Sequence, residues 1–509
     1  MIPLEWMPPL MFGGLVIFML IGFPVAFSLM AAGLFFSLIA MSEGFFGIAF
    51  LQAIPQRIFG SVLANDLLLA IPFFTFMGAI LERCGLAEEM LDSMGQLFGR
   101  VRGGLGYSVI IVGFILGAIT GTVAAQVIAM AMISLPIMMR YGYNMRYATG
   151  VLAASGTITQ LVPPSLVLIV LADQLKTQSG SADVGSMYLG AWGPSLLQIA
   201  LFALYTFFLA RIRPDDLPPA PEGELTLKGW SLWKKCLLGI IPSAVLIFLV
   251  LGTIMTGIAT PTESGAMGAM GALLLAWIRR ANIPNLKGLI QEAYQNTMRI
   301  TAMVVFILIG STCFSVVFQG VDGGRWIEEL FSSLPGGWIG FLIVVNLFVF
   351  FLAFFLDFFE IAFIVVPLLA PVAVKLLSPV LLDSMNGNPQ AAASAALVWF
   401  GVMLCVNMQT SFMHPPFGFA LFYLRGVAPK EVKSSDIYWG ALPWVGLQLM
   451  MVVLVMAFPA LVTTLLDKPA AIVQSQEFNF TGEENKSDNS TSKVDEDAPV
   501  NFQLDKSVK

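Results

Sequence analysis

Two parts of this chain combine oxygen-bearing side chains with residues that interrupt helices. Thr120, Gly121 and Thr122 make a polar turn inside an apolar run, and Ser155, Gly156 and Thr157 stand shortly before the pair Pro163-Pro164. Further on, Asp357 and Glu360 sit in a second apolar run, and Asn407, Gln409, Thr410 and Ser411 lead to His414, Pro415 and Pro416. Proline lacks a backbone donor and restrains the residue before it, so each pair should break a helix and free carbonyl oxygens. Carbonyl, hydroxyl, amide and carboxylate oxygens together suit a hard cation such as sodium. The first cluster (Thr120, Gly121, Thr122, Ser155, Gly156) and the second (Asp357, Asn407, Gln409, Thr410, Ser411) are thus candidate sodium sites. Helix ends at the breaks favour a carboxylate substrate between them, against Thr120, Thr157, Pro163, Pro164, His414, Pro415 and Pro416.

Blander roles compete. A serine or threonine in a membrane helix commonly bonds back to its own backbone, and a proline or glycine can merely kink a packed helix. An intramembrane carboxylate is costly and functional by default, which singles out Asp357; Glu360 has the alternative of pairing at a subunit surface. His414, the only histidine, either meets substrate or a proton or packs as a satisfied ring, and one histidine excludes an HExxH zinc site. The chain has no GxxxxGK[ST] loop, so energy must come from an ion gradient or a partner. No enzymatic activity, cofactor, metal other than sodium or nucleic-acid partner is expected.

The elements that hold these clusters must lie in lipid. Hydrophobic residues make up 57% of the 509 and charged residues 11%, against about 25% charged in a soluble domain. Apolar runs long enough for a bilayer recur from Pro9 to Leu466, giving one membrane domain over 1–466. Residues 467–509 form a polar, acidic tail expected to be disordered. Cys84, Cys236, Cys313 and Cys405 lie in or beside apolar runs without CxxC spacing and read as packing residues. Met1–Trp6 carries no basic cluster and reads as the start of an uncleaved first span.

Charge sets the sidedness. Arg211, Arg213, Lys228, Lys234 and Lys235 mark a cytoplasmic loop, and spans at 237–256 and 262–280 return to Arg279, Arg280 and Lys287. Counting outward puts Arg100, Arg102, Arg140, Arg146, Arg425, Lys430 and Lys433 inside, and the connectors near Lys176, Arg325 and Lys375 outside. The N-terminus then comes out cytoplasmic and the tail periplasmic. The count requires 105–140 and 338–376 to enter and leave by one face, turning at Gly117–Thr122 and Leu356–Glu360. Each hairpin follows a span (66–82, 300–318), an amphipathic segment and a glycine pair, and precedes a Pro-Pro break. The chain therefore reads as two inverted repeats, about 5–211 and 258–466, joined by linker spans over 212–257. The fold class is an all-α polytopic membrane protein with two re-entrant helical hairpins and discontinuous helices, the pattern of secondary transporters.

The chain resembles the large membrane subunit of tripartite ATP-independent periplasmic (TRAP) transporters. The resemblance rests on Gly117 to Ala125, Met139-Arg140-Tyr141-Gly142-Tyr143, Ala153–Gly156 leading to Pro163-Pro164-Ser165, Thr260–Ala266, Phe355-Leu356-Asp357, Pro367–Pro371 and Pro415-Pro416-Phe417-Gly418. It covers about 5–466 and implies sodium-coupled import of an organic acid, received from a periplasmic binding protein, across a bacterial inner membrane by an elevator motion. It also implies a small four-helix membrane subunit, here expected as a separate chain, and a fold similar to divalent-anion symporters. One departure is His414, where many relatives carry threonine. Tyr423-Leu424-Arg425-Gly426 resembles a subgroup associated with mannitol or chloroaromatic compounds. The alternatives are a solitary divalent-anion symporter, or a channel or ion-translocating subunit of a membrane enzyme.

Overall fold

The structure is a computed structural model that describes residues 3–468, except 222, 224, 226–228, 282, 284, 415–417 and the side chains of Leu20 and Thr120. Pro415, Pro416 and nearly all of the acidic tail therefore lie outside the described residues. In chain order the helices are α1 (Met7–Leu20), α2 (Val25–Ser42), α3 (Ala53–Arg57), α4 (Ala70–Glu82), α5 (Leu86–Phe98), α6 (Gly104–Thr120), α7 (Val123–Arg140), α8 (Met145–Thr157), α9 (Leu166–Gln174) and α10 (Val184–Ile212). Then follow α11 (Trp230–Met255), α12 (Pro261–Ile278), α13 (Leu286–Gly320), α14 (Gly323–Ser332), α15 (Gly337–Leu352), α16 (Phe358–Leu381), α17 (Pro389–Met408), α18 (Phe419–Val427), α19 (Ser434–Ala457) and α20 (Ala460–Thr463). Eight of the described helices are long and apolar enough to cross a bilayer. Helices dominate because hydrocarbon offers backbone groups no partner, so each segment must satisfy its own.

One series occurs twice. A long helix (α4, α13) is followed by an amphipathic helix (α5, α14), two antiparallel arms (α6–α7, α15–α16), a broken helix (α8–α9, α17–α18) and a further long helix (α10, α19). Packing repeats the pattern: α2 lies on α13 and α12 on α4, and exchanging the halves turns one pair into the other.

The first hairpin returns to the end it entered by. Gly103 N donates to Leu217 O at 3.1 Å, Asn144 N donates to Asp216 O at 2.9 Å, and Leu105 N donates to Tyr143 Oη at 3.3 Å. Both ends of the hairpin are thus tied to the short segment that follows α10. The turn between the arms uses Gly121 at φ +64°, a left-handed conformation that a side chain would strain. The second hairpin closes likewise. Glu328 of α14, directly ahead of the entering arm, pairs with Lys375 of the returning arm, and Phe331 packs edge-on against Phe341 at 5.5 Å.

The N-terminal residues lie beside a connector far along the chain. Pro3, Leu4, Glu5 and Trp6 line a cleft of about 740 Å³ together with Asp322, Arg325 and Glu329, so they share an end with the connector that the charge count placed outside. The charge count, which put that connector outside and the N-terminus inside, thus separates two segments that the structure brings together. Helices α1 and α2 turn back on each other at Gly22, φ +94°, and a Cβ on Gly14 would lie 2.9 Å from the Phe36 ring. The segment over 48–63 follows, where Arg57 donates to Gln319 at 2.8 Å and Asn65 to Asp173 at 2.9 Å.

Single-cysteine labelling with an impermeant maleimide checks this arrangement. Glu5→Cys and Arg325→Cys should label from one compartment, and Arg102→Cys and Arg140→Cys from the other. Labelling of position 5 together with position 102 would restore the opposite N-terminus, and separation of 102 from 140 would undo the first hairpin.

Candidate ion and substrate site

The first break is built by close approach. A Cβ on Gly113 would lie 2.8 Å from Ser155 Cβ, one on Gly117 3.1 Å from Thr159 Cα, and one on Gly156 2.2 Å from Val127 Cγ2. Glycine at these positions lets the hairpin lie directly on the end of α8. Gln126, on the returning arm, seals the junction: its Nε2 donates to Gly113 O at 2.6 Å and to Ser155 O at 3.0 Å, and its Oε1 accepts from Thr159 Oγ1. Thr157 Oγ1 donates back to Ala154 O at 2.8 Å and accepts from Gln448 Nε2 at 2.8 Å. Ser155 Oγ is buried and has no partner among the described residues. Beyond a 3₁₀ turn over Ile158–Gln160, the chain passes through the cis Pro163-Pro164 bond, and Ser165 Oγ caps α9 by accepting from Val167 N at 3.2 Å.

The second break repeats this plan with other residues. Asn407 Nδ2 donates to Asn346 O at 2.8 Å and to Asn346 Oδ1 at 3.0 Å, while Asn407 Oδ1 is buried without a partner among the described residues. Thr410 Oγ1 donates to Asn407 O and Ser411 Oγ to Met408 O, both at 2.7 Å, so both hydroxyls bond back to their own turn. Gln409 exchanges hydrogen bonds with Gln198: Gln198 Nε2 to Gln409 Oε1 at 2.6 Å, and Gln409 Nε2 to Gln198 Oε1 at 3.3 Å. The buried His414 ring stacks on Phe354 at 4.1 Å and meets Phe350 edge-on at 4.5 Å.

Asp357 is the N-cap of α16. Its Oδ1 accepts from Glu360 N at 3.0 Å, and Glu360 Oε2 accepts from Asp357 N at 3.1 Å, a reciprocal capping box. Both carboxylates thus sit at the positive end of a helix, half-buried, at the tip of the second hairpin. No described hydrogen bond joins Asp357 to Asn407, Gln409, Thr410 or Ser411; the link is through the next residue, Phe358, whose ring lies 6.1 Å from Phe412.

Ser155 and Asn407 each stand eight residues ahead of their proline pair, and each lies against the tenth residue of the entering hairpin arm, Gly113 through the Gln126 bridge or Asn346 by direct hydrogen bonds. The two orphan oxygens are therefore equivalent by the internal repeat. Gln126, Asn346, Gln198 and Gln448 did not stand out in the sequence, where each is a lone amide in an apolar run. Gln160, buried with both amide atoms unpartnered among the described residues, was also passed over.

Two inverted halves, each with a re-entrant hairpin on a broken helix, define a polytopic membrane transport protein. The chain belongs to the family described as tripartite ATP-independent periplasmic transporter, DctM component, which matches residues 12–461. It is 28% identical to the C4-dicarboxylate TRAP transporter large permease protein of Vibrio cholerae, over 90% of this chain and 97% of that one. It is 26% identical to the sialic acid TRAP transporter large permease protein of the same organism, over 86% of this chain and 93% of that one. Among solved structures it is similar in fold to the YdaH transporter of Alcanivorax borkumensis, with a TM-score of 0.56, 16% identity, and coverage of 82% of this chain and 90% of that one.

Replacing Gln126 by methionine would remove its donations to Gly113 O and Ser155 O and its acceptance from Thr159 Oγ1, which would keep only its bond to Gly156 O at 2.7 Å. We expect a loss of about 1–3 kcal/mol in thermal or denaturant unfolding in detergent. Unchanged stability would mean that Gln126 does not hold the junction.

Proposed function

We propose that the chain is the permease of a sodium-coupled importer of organic acids, working in a bacterial inner membrane by an elevator motion. In this reading both described ends of the membrane domain face the periplasm, because the basic loops gather at the opposite end. A periplasmic binding protein delivers the acid, and a small four-helix membrane subunit stands beside the permease. The relatives are named for C4-dicarboxylates and sialic acid, which are carboxylates, and this supports an acid as cargo here.

The observation that carries the reading is the pair of orphan oxygens, Ser155 Oγ and Asn407 Oδ1. Buried polar atoms ordinarily find partners, and two without them recur at one position of an internal repeat, beside backbone that has left the helix. A hard cation takes oxygen ligands of this kind. Sodium at each break would lend positive charge to the space between them, where a carboxylate is then held. Binding of ions and acid together closes the hairpins over the breaks, and the core carrying both hairpins moves as a body against the outer helices.

Reconstitution in liposomes with the small subunit and binding protein tests this. Uptake of a candidate acid should require an inward sodium gradient and the binding protein. Uptake that runs without the binding protein would favour a solitary symporter, and uptake indifferent to sodium would end the coupling proposal.

Asp357 has two separable roles. Asp357→Asn keeps an oxygen for the cap, whose loss costs about 1 kcal/mol, but removes the charge. We expect Asp357→Asn to fold with near-normal stability yet lose sodium-driven uptake. Activity retained by asparagine but lost in Asp357→Ala would make the residue a helix cap alone.

A further inference from the structure

We propose that Gln198 and Gln448 are positioning residues for the two cation sites, each reaching from the last long helix of one repeat to fix the turn ahead of the other repeat's break. The proposal rests on the sodium reading above and extends it to two residues outside the candidate ion ligands, of which Gln448 also keeps a buried Oε1 without a partner among the described residues.

The contacts cross between halves. Gln448, in α19 of the second half, donates to Thr157 Oγ1 at the first break at 2.8 Å, and Gln198, in α10 of the first half, pairs with Gln409 at the second break at 2.6 and 3.3 Å. The two glutamines are each the fifteenth residue of their helix. Their targets are each six residues ahead of a proline pair, Thr157 before Pro163 and Gln409 before Pro415. All four side chains have no exposed surface. Identical placement in two halves that share so few residues argues for a common task.

The task follows from what stands next to the targets. Thr157 is two residues beyond Ser155, and Gln409 two beyond Asn407, so each strut grips the turn whose preceding residues present the orphan oxygen. At Thr157 the hydroxyl proton is committed to Ala154 O and Gln448 donates to the oxygen, which fixes the last turn of α8 from both sides. At Gln409 both amides are used twice over, which leaves the 3₁₀ turn Gln409–Phe412 little freedom to rotate. A carbonyl or amide oxygen displaced by even a fraction of an ångström is a poorer ligand, because a site is effective only when its donors are held in place before the ion arrives. Because each strut belongs to the opposite half, reorganisation of one break is also felt at the helix that carries the other half's strut. The structure therefore links the two sites mechanically.

The test uses the purified full chain in detergent, with sodium as the probe and sodium-induced thermal stabilisation as the readout. Gln198→Met and Gln448→Met keep length and remove the amide. Each should raise the sodium concentration for half-maximal stabilisation by about five-fold or more, the lower range of coupling between sites. The paired change Gln448→Leu with Thr157→Val removes donor and acceptor together and is expected to fold even if a single variant does not, since no buried group is stranded; it should show the same shift. Half-maximal sodium within two-fold of the unaltered chain in variants that are merely less stable would overturn the proposal and leave the amides as packing. An unaltered chain whose stability ignores sodium would instead remove the sodium reading on which the proposal stands.

Discussion

Everything in this fold depends on how backbone groups are satisfied where helices stop inside the bilayer. Each hairpin tip and each broken helix leaves amide and carbonyl groups without intrahelical partners at a depth where lipid supplies none. Burying those groups in protein is the only solution, so the hairpin must lie on the break. At the first break three glycines bring backbone against backbone, and Gln126 ties the Ser155 carbonyl in the last turn of α8 to the Gly113 carbonyl of the entering arm. The same requirement explains why helix caps occur here at depth: Ser165 for α9 and the Asp357–Glu360 box for α16.

The outer helices meet a looser demand. Ion pairs there join elements near the basic end, as in Arg279 of α12 with Glu89 of α5 at 2.8 Å, and Lys235 of α11 with Asp92 of α5. Arg146 of α8 meets Asp436 of α19 at 3.1 Å on the same end, again linking the two halves. Partly exposed pairs of this kind contribute little stability, about 0–1 kcal/mol each. They fix neighbours and orientation, while the glycine-backed junctions and buried amides hold the centre.

Much of this was legible from sequence, for identifiable reasons. The first hairpin was legible because basic residues bracket an apolar stretch too long for one crossing, and the breaks because a proline pair well inside an apolar run removes two backbone donors. The first turn failed to register because Ile21-Gly22-Phe23-Pro24 carries no charge, and a rule that counts lysine and arginine cannot see it. The capping box was visible as aspartate followed three residues later by glutamate, yet the rarity of intramembrane carboxylates drew attention to charge and away from the cap. The struts were out of reach: a glutamine in an apolar run says nothing of a partner such as Thr157, which is 291 residues from Gln448.

The halves also show why the repeat is faint in residue identity and plain in structure. One junction is sealed by a glycine and a glutamine borrowed from the returning arm; its counterpart is sealed by Asn346, whose Oδ1 accepts from Asn407 Nδ2 at 3.0 Å while its Nδ2 donates to Leu342 O at 2.8 Å. What must be preserved is a satisfied carbonyl and a buried oxygen left over, and either set of side chains delivers both. Selection for that outcome lets the residues of the two halves diverge freely, provided the backbone keeps its register. Positions that match by count from a break, such as Ser155 with Asn407, are therefore better guides to shared function than positions that match by residue type.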